Sequence, residues 1–384
     1  MKQLNSIQAL RGIAAFAVFF CHLISIEQSV SGRPVKLTGL ADSGAYGVDL
    51  FFVISGFVMV WVAAEMPRGW RSAQAFLIAR IVRIYPLWWM FAGLAATGYL
   101  LLYHTPWDAQ RVAGMQISGP AHLLHSIALW PQPGHPVLGA GWTLVHEMYF
   151  YVGFTIMILL TPIHYRLQVL LGWGLAVFIG AQSGLSSWFA SSALALIFHP
   201  MTLQFILGAA IAYAVKREFR HQGRIAVCVG ILLLVVGIAR LDIAVYHGIS
   251  DLFGTAPMPT ETLPWRRTFL IGSAAGAIVY GLVCLERAPM KAFTLPKTLT
   301  RLGDWSYSLY LCHMLTIGVA ARAIYAVMDS ASPWSISAFL IAATSLTLAT
   351  AWLSFEFVER PLIAFFKRHR GAVSKPQMSS QALA

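Results

Sequence analysis

The chain has 384 residues, 58% of them hydrophobic and 11% charged, with a mean hydropathy of +0.68. That balance excludes a soluble domain, where apolar residues outnumber charged ones roughly two to one, and equally a disordered or disulfide-built chain. The formal net charge of +12 takes its meaning from where the basic residues fall, which is by sidedness and not in a nucleic-acid patch.

At roughly 20 residues per span, ten membrane-crossing stretches are predicted, near 7–26, 45–64, 84–103, 141–161, 167–182, 193–215, 225–246, 267–285, 304–325 and 336–357. The expected fold is therefore an all-α polytopic membrane protein. The first run carries Arg11 and His22 and has no convincing cleavage site, so it reads as a retained helix and not a removed signal. With the N-terminus inside, 19 of the 27 basic residues lie in the inner segments and tails. Only Arg33, Lys36, Arg111, Arg266 and Arg267 lie in the outer loops. The positive-inside rule then places both termini in the cytoplasm. Residues 1–361 form the expected membrane domain, and 362–384 a basic and polar cytoplasmic tail whose end, from Gly371, is too small and polar to order. No second soluble domain is expected. The four cysteines lie in apolar runs without a CxxC pair, so no disulfide or zinc framework is implied.

Ionisable residues inside spans are costly and are functional candidates by default. Arg11 and His22 are eleven residues apart, about 20° beyond three full helical turns and about 16 Å along the axis, so they share one face of the first helix. Asp49 lies near the start of the second span. Glu147, six residues after Gly141, is expected about 9 Å below the outer surface. This layer matches the depth of His22, where a carboxylate could orient an imidazole as general base. The alternatives are plain: a packed polar group for His22, a helix cap or interfacial solvation for Asp49, and a hydrogen-bond anchor for Glu147. His313, closing the run Ser306 to His313 that includes Tyr310, is open to the same two readings.

The inner loop 68–86 contains Arg80, Arg83 and Tyr85, and the two arginines could grip a phosphate by forked hydrogen bonds or serve orientation alone. Glu359, at the end of the last span, could pair with that cluster. The proline-rich outer segment 104–140 either dips into the membrane surface or forms a lid. His146-Glu147 lacks the second histidine of HExxH, and His122 with His125 has no further ligand set, so no metal is expected. Gly272 and Gly276 read as helix packing.

Taken in order, several motifs resemble the membrane acyltransferase 3 family of bacterial inner-membrane O-acyltransferases. They are Leu10-Arg11-Gly12 with the spacing to His22, Gly47 to Phe57 including Asp49, Arg80 to Pro86, Trp142-Thr143-Leu144 through Glu147 to Tyr149, Ser306 to His313, and Phe355 to Pro361. The resemblance implies acyl transfer, most simply of acetyl, from cytoplasmic acyl-coenzyme A to a hydroxyl of a glycan or glycolipid, with no resident cofactor. It places the essential first-helix pair on Arg11 and His22, donor-side arginines on Arg80 and Arg83 with Tyr85 beside them, and the helix-4 glutamate on Glu147. Ser306, Tyr310, His313 and Trp142 become supporting residues. Polysaccharide synthesis or export proteins are the expected partners. The rival readings are a transporter or flippase of lipid-linked sugars and a scaffold subunit of an export complex.

Overall fold

The computed structural model describes residues 4–32, 38–109, 118–183, 192–218, 222–240, 263–288, 295–330 and 332–373. The middle of the outer segment (110–117), the far end of the seventh expected span and the tail from residue 374 lie outside these. The described residues are helical and contain no strand. In chain order the helices are α1 (Asn5–Ser31), α2 (Thr38–Ser43), α3 (Gly47–Ala63), α4 (Trp70–Tyr103), α5 (Gly119–Ala128), α6 (Gly141–Leu160), α7 (Arg166–Gln182), α8 (Ser192–Ile197), α9 (Thr202–Lys216), α10 (Gly223–Arg240), α11 (Leu263–Glu286), α12 (Lys297–Asp304), α13 (Ser306–Tyr325), α14 (Pro333–Ser354) and α15 (Arg360–Val373).

Among the described residues, nine helical stretches are long and apolar enough to cross a bilayer, and the apolar stretch Gly223–Ala239 is shorter. Every expected span falls on one of these ten. The third differs most. α4 is continuous over 34 residues from Trp70, so 68–86 is not a loop and Arg80, Arg83 and Tyr85 are helical. Of the charges that lower its hydropathy, Arg80 is buried, Arg83 half-buried and Arg71 exposed. The last helix also runs on, through a π-helical turn at Phe355–Glu359 into α15.

α3 and α13 form the centre, each 61% buried in its most apolar window, against 22% for Pro333–Phe366 at the periphery. Backbones meet at glycines. A Cβ on Gly56 would collide with the Phe205 carbonyl, and one on Gly208 with the Val53 carbonyl, so only hydrogen at both positions lets α3 and α9 touch. Gly12 and Gly303 do the same for α1 and α12, bringing Arg11 to the start of α13.

Helix ends are closed by distant side chains. The first amides of α1, those of Asn5 and Ser6, donate to the two Glu286 carboxylate oxygens at 2.8 Å, a favourable place for negative charge. At the other polarity, the buried Arg166 donates to the Ala63 and Ala64 carbonyls at 3.2 and 3.3 Å, capping α3.

The described residues of the outer stretch before α6 pack against α4. α5 runs back along α4, and its last three carbonyls are taken in turn. Trp88 Nε1 donates to Ser126 at 2.9 Å, Trp89 Nε1 to Ile127 at 3.0 Å, and the Tyr85 hydroxyl to Ala128 at 2.8 Å. The Ser126 carbonyl also accepts from the Leu129 amide at 3.2 Å, and those of Ile127 and Ala128 are carbonyls that a helix end leaves without an intrahelical donor. Leu124, Ile127 and Trp130 face outward, as lipid contact requires. At the base of α5, Trp107 Nε1 donates to His122 Nδ1 at 2.9 Å, so His122 Nε2 carries the hydrogen and donates to the His135 carbonyl at 2.9 Å.

Candidate active site

The packing of α5 along α4 lets α6 begin within the bundle, with Gly141 against the buried Trp88 ring. Glu147 is therefore not in the layer of His22. It faces a cavity of about 70 Å³ whose polar lining is Arg11, Ser55, Arg83, Thr143, Glu147, Ser306, Tyr307 and Tyr310. The structure thus brings together Arg11, Arg83, Glu147, Ser306 and Tyr310 of the expected site residues.

Glu147 accepts from Ser55 Oγ at 3.0 Å and from the Tyr151 hydroxyl in a short bond. Tyr151 in turn lies under the Arg80 guanidinium, 5.7 Å from its centroid, with Phe76 at 5.3 Å. Arg80 is buried and held between rings, and of the Arg80–Arg83 pair Arg83 alone lines the cavity. Tyr85, expected on the donor side, turns away to Ala128. Arg11 donates to Gln8 at 3.1 Å, and Gln8 to Asp304 at 2.6 Å. Glu359 is buried and accepts from Ser308 at 2.9 Å.

Asp49 does not orient His22. It is fully buried in an ion pair with Arg267, whose Nη2 and Nε reach Oδ2 at 2.7 and 2.9 Å, and it accepts from Gln204 at 2.6 Å. Arg267, expected in an outer loop, is thus a tie between α3 and α11. Trp142 packs edge-on against Phe52 and His146. Ser306 donates to the Gly303 carbonyl at 2.7 Å, fixing the start of α13.

Tyr310 links the cavity to the histidines. Its hydroxyl meets Thr143 at 2.9 Å and donates to Ala140 at 3.2 Å, and its ring lies 5.7 Å from His313. His22 lies beyond, 5.0 Å from His313 between ring centroids. His22 Nδ1 donates to the Val18 carbonyl at 2.9 Å, which leaves Nε2 with its lone pair, the form a general base needs. α1 is unbroken from Arg11 to His22, so the two stand about 16 Å apart along its axis. Among the described residues no group of three or more His, Cys, Asp or Glu gathers as a metal site would require.

Ser55, Tyr151, Tyr307 and Arg267 were not singled out by the sequence. Tyr151 carried a signal, being four residues from Glu147 on one helix face, whereas Ser55 and Arg267 reach their partners across 92 and 218 residues.

The family profile described as "Acyltransferase domain" matches residues 4–355. The exopolysaccharide production protein ExoZ of Rhizobium meliloti (strain 1021) is 32% identical over 323 residues, covering 83% of this chain and 90% of its own. The acyltransferase MdmB of Streptomyces mycarofaciens is 26% identical over 413 residues, covering 97% and 95%. No solved structure matches the chain.

Proposed function

The chain belongs to the acyltransferase domain family, and from that premise we propose that it moves a short acyl group, acetyl first, from acyl-coenzyme A to a hydroxyl of a cell-surface or secreted polysaccharide or its lipid-linked precursor. Similarity to ExoZ, an exopolysaccharide production protein, supports the glycan acceptor. The asymmetry of basic residues supports both termini in the cytoplasm, in the inner membrane of a bacterium.

The observation that carries the reading is a cavity lined by Arg11, Arg83 and Glu147 inside an apolar bundle, joined through Tyr310 to an imidazole with a free Nε2. Coenzyme A is polyanionic, so its phosphates stay at the cytoplasmic end, where Arg83 and Arg11 attract them, while the pantetheine arm crosses the 16 Å or so to His22. His22 Nε2 takes the proton of the acceptor hydroxyl as its oxygen attacks the thioester carbon. The carbon–sulfur bond then breaks with its electrons on sulfur. Glu147, held by Ser55 and Tyr151, balances the arginine charge.

The test is to incubate purified protein with radiolabelled acetyl-coenzyme A and glycolipid from the producing cells, following thiol release and label in glycan. Both are expected in the wild type and both lost in His22→Ala. Thiol release and labelling that persist in His22→Ala would refute the mechanism, and none in the wild type with acetyl or longer acyl donors would refute the reaction.

A further inference from the structure

α9 and α10 follow each other in the chain, yet a groove of about 400 Å³ lies between them. α10 packs on α11, and α9 packs on α3 and α11. Glycines bring both close to α11: a Cβ on Gly223 would stand 2.9 Å from the Gly281 carbonyl oxygen, and one on Gly276 2.8 Å from Leu207 Cδ2. Leu207 and Ile211 of α9 form one wall, Ile225 and Val229 of α10 the other, and Gly276 and Ala277 of α11 the floor. The groove follows α10 from Gln222, just before its first turn, to Val229, about 10 Å along the axis. It therefore runs in the direction of the helices, which is also that of lipid chains.

The lining decides what kind of molecule fits. An ordered water takes two to four polar partners, and the lining offers only Gln222, Ser273 and Tyr280. Ile225 and Val229 are exposed on the outward side, so the groove opens to the bilayer. Lipid chains are as apolar as leucine, so nothing drives the two walls together and an alkyl chain takes the space between them.

The end of the groove at Gln222 is basic. Residues 217–224 carry Arg217, Arg220 and Arg224 against Glu218. Arg217 and Arg224 are exposed, and Arg224 directly precedes Ile225 of the wall. Arg287, also exposed, follows α11 at the same end, where Cys284 lies beside Gly223. Two further acids there are engaged, Glu65 with Lys216 at 2.6 Å and Glu286 with the first amides of α1. The excess of positive charge thus stands at the mouth of an apolar groove, as the headgroup and chain of an anionic lipid require.

We infer that the groove between α9 and α10 binds one anionic diacyl phospholipid, with an acyl chain over Gly276 and Ala277 and the phosphate on Arg217 and Arg224. The bound chain supplies the packing that α10 lacks on its α9 side. The site is separate from the arginine-lined cavity and from the histidines, so it does not depend on the transfer reaction.

The test is to strip the purified full chain of lipid in detergent and add dioleoyl phosphatidylglycerol, dioleoyl phosphatidylcholine or glycerol 3-phosphate, counting bound molecules by native mass spectrometry. Phosphatidylglycerol is expected to saturate at one tight copy, about 10- to 30-fold tighter than phosphatidylcholine, since each arginine near a membrane surface favours an anionic lipid about fivefold. Glycerol 3-phosphate, which has no chain, is expected not to bind. Arg217→Gln with Arg224→Gln should bring the two lipids within about threefold of each other. Ala277→Phe, which fills the floor, should weaken both about tenfold or more, and Val229→Trp blocks the groove from the exposed wall if Ala277→Phe fails to fold. Amide exchange in 223–240 should slow with phosphatidylglycerol in the wild type and not in the filled variant. Equal binding of the two lipids by the wild type, a copy number that rises without a plateau, or wild-type affinity in the folded Ala277→Phe or Val229→Trp protein would overturn the site. A dimer that the filled variant abolishes would do so as well, by putting a second copy of the chain in the groove.

Discussion

The arginine-lined cavity and the histidine pair are built on opposite plans. At and beside the cavity several charged groups are held by neutral neighbours: Glu147 by Ser55 and Tyr151, Arg80 by two aromatic faces, and Glu359 by Ser308. At the histidines the hydrogen bonds among the described residues are to carbonyls of their own helices, with no described carboxylate on either ring. A side chain held by several partners keeps its place, whereas an imidazole with a single tether can adjust its position. The first region suits binding of a polyanion and the second suits moving a proton.

The contrast breaks most decisively at Asp49. If Asp49 only ties helices, Asp49→Ala leaves Arg267 buried and unpaired and should destabilise the protein by about 3–5 kcal/mol, read as a lowered thermal midpoint in detergent. An intact midpoint with lost turnover would return Asp49 to the chemistry. Arg11→Ala should leave the midpoint within about 1 kcal/mol, since its one side-chain bond is to neighbouring Gln8, yet lower kcat/KM for the donor by about 10-fold or more, chiefly through KM. Unchanged turnover would make the cavity structural. Tyr151→Phe removes a hydrogen bond to a carboxylate, worth about 1.5–3 kcal/mol. It should raise the donor KM more than it lowers kcat, and the reverse split would tie Glu147 to the proton transfer.

The smallest effect concerns acid. Burial holds the His122 pKa below its ordinary value of 6.5. Its contribution to stability is therefore present above pH 6.5 and is lost as pH falls through the lower folded value. Protonated Nδ1 would also confront the Trp107 N–H. Protection factors of amides in 118–140, corrected for the intrinsic rate, should fall below pH 6.5 ahead of those in α3 and α13. A uniform fall would mean that 118–140 is not a separate unit.

Hydropathy made the ten spans legible, because lipid demands long apolar helices whatever they pack against. It missed the first half of α4, where Arg71, Arg80 and Arg83 depress the average, though Arg80 is buried between Phe76 and Tyr151. Arg11 and His22 were readable as one helix face since helical geometry is local. Depth was not, since it assumed that α6 begins at the surface, and the clasp of Tyr85, Trp88 and Trp89 on α5 shows why it begins lower. Partners such as Arg267 for Asp49 depend on tertiary packing that no local spacing records.

The cap on α1 has a consequence for biosynthesis. Its first amides are closed by a carboxylate 280 and 281 residues downstream. At roughly 5–20 residues per second, the ribosome reaches Glu286 about 15–55 s after leaving Asn5. Throughout that interval the leading edge of the chain must be hydrated or held by the insertion machinery. The helix that carries Arg11 and His22 can therefore enter the membrane early and yet be locked in register only when most of the protein has followed it.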